Sequence, residues 1–200
     1  MLFNCTRTLR FAVSHPVLSR SARKRQAFAG MATLAALVCL LFLPAQAAEK
    51  SSPEQLGVST GLAIPRYVSL KSGTVNMRRG PARDHGTVWT YKLAGLPVEI
   101  TAEFENWRKI RDWEGSEGWV FHTLLSGRRT VMVAPWQKKG VIDLHKEPSA
   151  SSPLVARIEP RVVAKVQACD RVWCRISGKG FDGFVRQKAI WGVYPDEKLK

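Results

Sequence analysis

One strand–turn–strand unit occurs twice in this chain, and that recurrence restricts the fold more than any other feature. In the first copy Trp107 is followed by Ile110, then by a turn at Glu114-Gly115-Ser116, then by Gly118-Trp119-Val120. In the second, Trp173 is followed by Ile176, a turn at Gly178-Lys179-Gly180, and Gly183-Phe184-Val185. The matched Trp residues lie 66 positions apart and the closing Gly residues 65, so the two copies align with only short gaps. A regular recurrence of this kind marks tandem units of one architecture. Each reads as a β-hairpin, with a turn glycine supplying the positive φ that tight turns commonly need.

The flanking segments read as further short strands. Thr74-Val75-Asn76-Met77-Arg78-Arg79 alternates before a stop at Gly80-Pro81. Alternation puts Val75 and Met77 on one strand face and Asn76 and Arg78 on the other. Val88–Leu93 and Val98–Ala102 follow, joined by a turn at Gly95-Leu96-Pro97. In the second copy Val141–Pro148, Leu154–Ile158 and Val162–Val166 take the same places, with Asp143…Pro148 matching Asn76…Pro81. Val131-Met132-Val133 fits either as the last strand of the first unit or as the first of the second. No segment supports a long helix, and short strands at about 8–12-residue spacing suggest a small sandwich or barrel.

The start of the chain has the order of a secretory signal peptide. Arg7, Arg10, Arg20, Arg23, Lys24 and Arg25 precede an apolar or small run from Ala27 to Leu43, then Pro44 and the small-x-small site Ala45-Gln46-Ala47. The alternative is an uncleaved anchor, since the run sits at the bottom of the spanning range of about 17–25 residues. Cleavage after Ala47 takes six bases and no acid, and lowers the formal charge from +15 to +9. A basic balance favours anionic partners but does not specify a fold. Cys5 and Cys39 leave with the leader, and the remaining pair, Cys169 and Cys174, points to one disulfide in an exported protein. The pair spans a hairpin turn, which sets the Cα atoms opposite each other at about 5 Å. A redox pair is disfavoured by four intervening residues and the lack of a helix N-terminus. Ala48–Leu62, rich in Ser, Glu, Gly and Pro, reads as a tether.

At Asn76-Met77-Arg78-Arg79-Gly80-Pro81, Trp107…Ile110 and Gly118-Trp119-Val120 the chain resembles the bacterial SH3-like (SH3b) family. Gly95–Ile100, Trp107–Asp112 and Trp191-Gly192-Val193-Tyr194-Pro195 are similar to exported alphaproteobacterial proteins with two tandem SH3 domains. The resemblance covers about residues 64–197. It implies a small barrel of about five or six strands per repeat, used for binding and not for catalysis, and members attached to wall hydrolases recognise peptidoglycan. The second copy departs from the pattern at Leu144-His145-Lys146-Glu147-Pro148 and at Phe184. If the first copy binds, the second is left with a structural role. The expected fold is all-β: two tandem small SH3-like barrels after a signal peptide and short tether. The expected boundaries are a signal peptide at 1–47, a linker at 48–63, and domains at 64–130 and 131–197.

Arg78, Arg79, Trp107, Trp113 and Trp119 are the candidate ligand contacts, because an aromatic and basic surface stacks on sugars or peptides and pairs with carboxylates. The competing role for each Trp is packing, since domains of about 65 residues need large side chains to make a core. Trp107 and Ile110 have opposite strand parity, so without a bulge only one faces the core. Ile110 is the natural core residue, which leaves Trp107 for a groove or the space between domains. His85, His122 and His145 lack metal-ligand spacing. Glu103 and Glu105 read as solvated acids on one strand face. No catalytic residue, metal or cofactor is expected. Nucleic acid is disfavoured by export and by acids interleaved with the bases. The expected function is non-catalytic recognition of a cell-envelope ligand, either peptidoglycan or a periplasmic protein. Membrane contact is expected only if the leader is kept. The alternative is a structural protein whose barrels pack on each other without a small-ligand site.

Overall fold

The computed structural model describes residues 55–200, so the expected leader with Cys5 and Cys39 lies outside the described residues. A short hairpin comes first, β1 (Gln55–Leu56) with β2 (Ala63–Ile64). The first sheet contains β3 (Arg66–Leu70), β4 (Val75–Arg78), β5 (Thr87–Tyr91), β6 (Pro97–Phe104), β7 (Trp107–Arg111), β8 (Glu117–Phe121) and β9 (Leu125–Ser126). The second contains β10 (Thr130–Val133), β11 (Ile142–His145), β12 (Leu154–Ile158), β13 (Val163–Asp170), β14 (Trp173–Gly178), β15 (Phe181–Arg186) and β16 (Ile190–Trp191). The terminal β17 (Lys198–Leu199) adds to β13.

The two sheets have one topology. The first runs β5-β4-β8-β7-β6-β3-β9, and the second β12-β11-β15-β14-β13-β10-β16, strand for strand equivalent. Val131-Met132-Val133 therefore opens the second barrel: β10 pairs with β13 and β16. A single 3-10 turn precedes the last short strand of each sheet, at His122–Leu124 and Gln187–Ala189.

Alternation builds a separate core in each barrel. Val75 and Met77 are buried while Asn76 between them is exposed. They meet Val98, Ile100, Ile110 and Val120 in the first core. Leu144, Ile176 and Val185 occupy the matching places in the second, with Val131 and Val133. The glycine of each Gly-aromatic-Val run is required by a close crossing. A Cβ on Gly118 would stand 2.5 Å from Met77 Cγ and 2.8 Å from the Arg78 carbonyl oxygen. On Gly183 it would stand 2.6 Å from Val155 Cγ2 and 2.9 Å from the His145 carbonyl oxygen.

The same bulge recurs in both copies, between Ile100 and Ala102 on β6 and between Val166 and Ala168 on β13. Beyond it the facing pairs are Glu103 with Arg108 and Cys169 with Cys174. One structural position thus carries an ion pair in one barrel and a disulfide in the other. The Cys169 and Cys174 Cα atoms are 4.1 Å apart and the sulfurs are bonded. Closing so short a loop stabilises by about 2 kcal/mol in the chain-entropy picture. Replacing both cysteines by Ala is expected to lower stability by about that much, read as a matching shift in the denaturation midpoint; alkylation without reductant is expected to label neither cysteine.

Two expectations are corrected here. The stretch read as a tether is folded from residue 55, where β1 and β2 pair and Gly57 N–H donates to the Leu62 carbonyl at 2.8 Å. Glu103 is not a solvated acid, because its side chain is fully buried. Its carboxylate accepts from Ser59 N–H at 3.0 Å, Thr60 N–H at 2.9 Å, Thr60 Oγ1 at 2.8 Å and Arg66 Nη2 at 2.7 Å. Arg108 Nε lies 3.4 Å away. Burial alone would raise its pKa, but the bonds from Arg66, Thr60 and Ser59 and the Arg108 charge outweigh it and hold the pKa at about 2. The carboxylate is what fastens the N-terminal hairpin to the first barrel. Glu105 shares none of this; it is exposed in the following turn at a φ of 46°.

Candidate functional site

The neighbouring strands β4, β8 and β7 send alternate side chains outward. With Val75, Met77, Val120 and Ile110 inside, the outer face carries Asn76 and Arg78, Trp119 and Phe121, and Trp107 and Lys109. Trp119 is the cross-strand partner of both Arg78 and Lys109, and Trp107 that of Phe121. Trp107 and Phe121 meet edge to face, with centroids 5.4 Å apart. The Arg83 guanidinium lies 5.7 Å from the Phe121 ring centre. Arg78 Nη1 donates to the His85 carbonyl at 2.7 Å, which anchors its head group. A groove of about 420 Å³ opens here, lined among others by Asn76, Arg78, Arg83, Trp107 and Phe121.

Parity therefore operates as the sequence indicates. Ile110 is fully buried in the core, and Trp107 lies outside it, in the groove. Trp107 is nonetheless only 8% exposed and serves as a floor, not a projecting platform. Trp119 is half-buried on the same face. Arg79 follows the end of β4, is exposed, and has the opposite parity to Arg78. Trp113 is in the turn after β7, where the Arg161 guanidinium of the second copy lies 5.3 Å from its ring centre. Of the five expected contacts, Arg78, Trp107 and Trp119 share one face; Arg79 and Trp113 do not join it.

The matching face of the second copy is closed by its own side chains. Arg186 stands where the first copy has Phe121, and its guanidinium lies 4.2 Å from the Trp173 ring centre. His145 meets the same indole edge-on at 5.3 Å. Arg175 is paired with Asp182 at 2.8 Å.

The sequence reading held barrels packed on each other as its alternative but named none of the residues that make the seam between them. Tyr67 of the first meets Trp191 edge-on at 5.2 Å and Tyr194 at 4.7 Å. Tyr194 O–H donates to Glu99 Oε1 at 2.9 Å, while Arg111 holds Glu99 Oε2 at 2.6 and 2.9 Å. Burial first, and then the nearby Glu99 charge, pushes the Tyr67 phenol up to about 12. Burial and the bond to Glu99 push Tyr194 up as well, so both phenols stay protonated at neutral pH. Thr130 Oγ1 donates to the Gly95 carbonyl at 2.7 Å. The aromatic density of Trp191-Gly192-Val193-Tyr194 was the available signal for this packing. Two clefts flank the seam. One, of about 510 Å³, lies beside Tyr67, Trp191 and Tyr194. The other, of about 650 Å³, has Lys71, Arg128, Lys165 and Lys179 in its walls. Among the described residues no group of three His, Cys, Asp or Glu is placed to hold a metal ion.

Among solved structures the chain is similar to NlpC2 and NlpC1 from Trichomonas vaginalis, at 12% and 13% identity. The matches cover 64% and 68% of this chain and 48% of each of those, with TM-scores of 0.29 and 0.30. The chain thus spans about half the length of those proteins, and likeness at that level carries no argument about chemistry. No curated protein matches it. The bacterial SH3 domain matches twice, over residues 71–127 and 138–192. Those two matches fall on the two barrels and together take in more than half of the sequence, so the chain belongs to the bacterial SH3 domain family.

Proposed function

We propose that the protein is a non-catalytic, exported binding module for the cell envelope, and that the outer face of its first barrel recognises peptidoglycan. The observation that carries the reading is the gathering of Arg78, Trp107, Trp119 and Phe121 on three adjacent strands beside an open groove. Bacterial SH3 domains commonly bind peptidoglycan or other envelope components, which supports it. The chemistry matches: aromatic rings stack against the apolar faces of sugars, and guanidiniums hold the carboxylates of stem peptides. The matching face of the second barrel, with Arg186 and His145 laid against Trp173, takes no part in this recognition. In this reading the leader of residues 1–47 delivers the chain out of the cytoplasm.

The test is retention of the protein on purified peptidoglycan. Retention is expected to fall with added salt and to drop about tenfold in Arg78→Ala and in Trp119→Ala, roughly 1.4 kcal/mol of binding energy. Trp107→Ala is the poorer probe, since removing a buried Trp costs about 3–5 kcal/mol of stability by itself. Wild-type retention by both variants would contradict the assignment. The seam favours a second reading, in which the two barrels form one interaction surface for an envelope protein. A discrete protein co-purifying with a chain that ignores peptidoglycan is the outcome that favours it.

A further inference from the structure

We infer that the basic cleft between the two barrels is a second binding site, separate from the outer face of the first, and that it takes a glycan bearing phosphate esters. The cleft holds about 650 Å³. Its cations come from both copies, Lys71 and Arg128 from the first and Lys165 and Lys179 from the second. No Asp or Glu lines it, and among the described residues none of the four cations forms a salt bridge. Unpaired cations also occur elsewhere on the surface, at Lys138 and Lys139 for example; what sets these four apart is that both barrels bring them into one concave cleft without an acid. Like charges gathered in a concave, low-dielectric surface repel one another and focus a positive potential, which an anion relieves.

The donor set suits a phosphate. Three of the four cations are lysines, compact point charges with rotatable donors that approach a tetrahedral anion from several sides, and the fourth, Arg128, brings a guanidinium fork that matches phosphate oxygens. Ser126 Oγ accepts from Arg128 N–H at 3.2 Å and Ser177 Oγ accepts from Gln167 Nε2 at 3.0 Å. Each hydroxyl therefore keeps its own proton to donate to a ligand oxygen. The walls contain no aromatic side chain, so nothing there stacks a nucleobase, and single-stranded nucleic acid lacks its usual platform. Hydroxyls and ammoniums together fit sugar hydroxyls and phosphate. The site exists only while the seam holds the two barrels together, which gives the duplication a function that one barrel lacks.

The test measures binding of dextran phosphate to the full chain, with polygalacturonate as a carboxylate control. Lys71→Ala/Lys165→Ala is expected to weaken dextran phosphate at least tenfold. Lys138→Ala/Lys139→Ala removes the same charge from exposed positions outside the cleft and is expected to change it less than twofold. Both pairs are exposed in the fold, and unchanged melting temperatures verify that they remain folded. Equal weakening by both pairs, no weakening by either, or polygalacturonate bound as tightly as dextran phosphate would overturn the proposal. A parallel arm uses vesicles containing phosphatidylglycerol. Vesicle binding lost in Lys71→Ala/Lys165→Ala assigns the phosphate to a lipid-held headgroup, and binding of dextran phosphate alone assigns it to a free glycan. Absence of binding to either probe contradicts the site. The outer-face variant Arg78→Ala is expected to bind dextran phosphate normally, so this site and the peptidoglycan face succeed or fail separately.

Discussion

Glu103→Gln is expected to lower stability by about 3 kcal/mol or more, because it leaves the Arg66 and Arg108 guanidiniums without a buried counter-charge. The amide keeps the shape but offers one accepting oxygen in place of two, while Ser59, Thr60 and Arg66 all donate to that end. The loss carries a pH signature. The folded pKa of about 2 is below the ordinary 4.5, so the carboxylate's contribution is fully present above about 4.5 and disappears as pH falls towards 2. That difference in pKa corresponds to about 3 kcal/mol, the same size as the expected mutational loss. Denaturation of wild type and Glu103→Gln from pH 7 to pH 2 should therefore show two curves converging in acid. Amide exchange at Ser59 and Thr60 should speed up in the variant, since the N-terminal hairpin loses its clasp. A gap that stays constant down to pH 2 would contradict the role given to the ionised carboxylate.

Gly192→Ala is the second large effect. Gly192 has a φ of +118°, a backbone conformation that L side chains rarely adopt. A Cβ there would stand 2.6 Å from the Thr130 carbonyl oxygen, 3.1 Å from Val131 Cα and 3.2 Å from Pro97 Cβ. Two of these are backbone atoms, and Pro97 belongs to the first barrel, so no flexible side-chain end is available to move aside. Strain and the clash together are expected to cost about 3 kcal/mol. The damage falls on the seam, where Thr130 bonds Gly95 and Tyr194 bonds Glu99. Gly127→Ala is the control: nothing lies within 4 Å of its added Cβ, and its change should stay within about 0.5 kcal/mol. A Gly192→Ala protein as stable as the Gly127→Ala protein would contradict the close approach of the barrels.

The difference between what was legible in the sequence and what was not follows the distance between partners. The duplicated hairpins, the Val75/Met77 face, Ile110 in the core and the Cys169–Cys174 link all rest on strand parity or on neighbours within one hairpin. Glu103 was misread because its partners Arg66 and Thr60 are 37 and 43 residues away, and a lone acid near a turn gives no hint of them. The basic cleft was invisible for the same reason, since Lys71, Arg128, Lys165 and Lys179 converge only when the barrels dock. Trp113 looked equivalent to Trp119 as an aromatic near a turn. The docking of Arg161 against it, 48 positions further along the chain, separates the two.

The equivalence of Glu103–Arg108 with Cys169–Cys174 gives that misreading a structural context. Both copies must close the same barrel end beyond the same bulge. The first does so with a charge pair that also captures the N-terminal hairpin, and the second with a covalent link beside which β17 adds to β13. The two ends of the described chain thus cover the same end of their respective barrels.

The outer face of the first barrel is the proposed seat of the envelope ligand. The indole N–H resonances of the seven tryptophans test it directly, followed by NMR as soluble peptidoglycan fragments are added. The Trp119 and Trp107 signals are expected to shift together in a saturable way while Trp113, pinned under Arg161, stays in place. Shifts confined to Trp173, Trp191 or Trp136, with Trp119 and Trp107 unmoved at saturation, would contradict it.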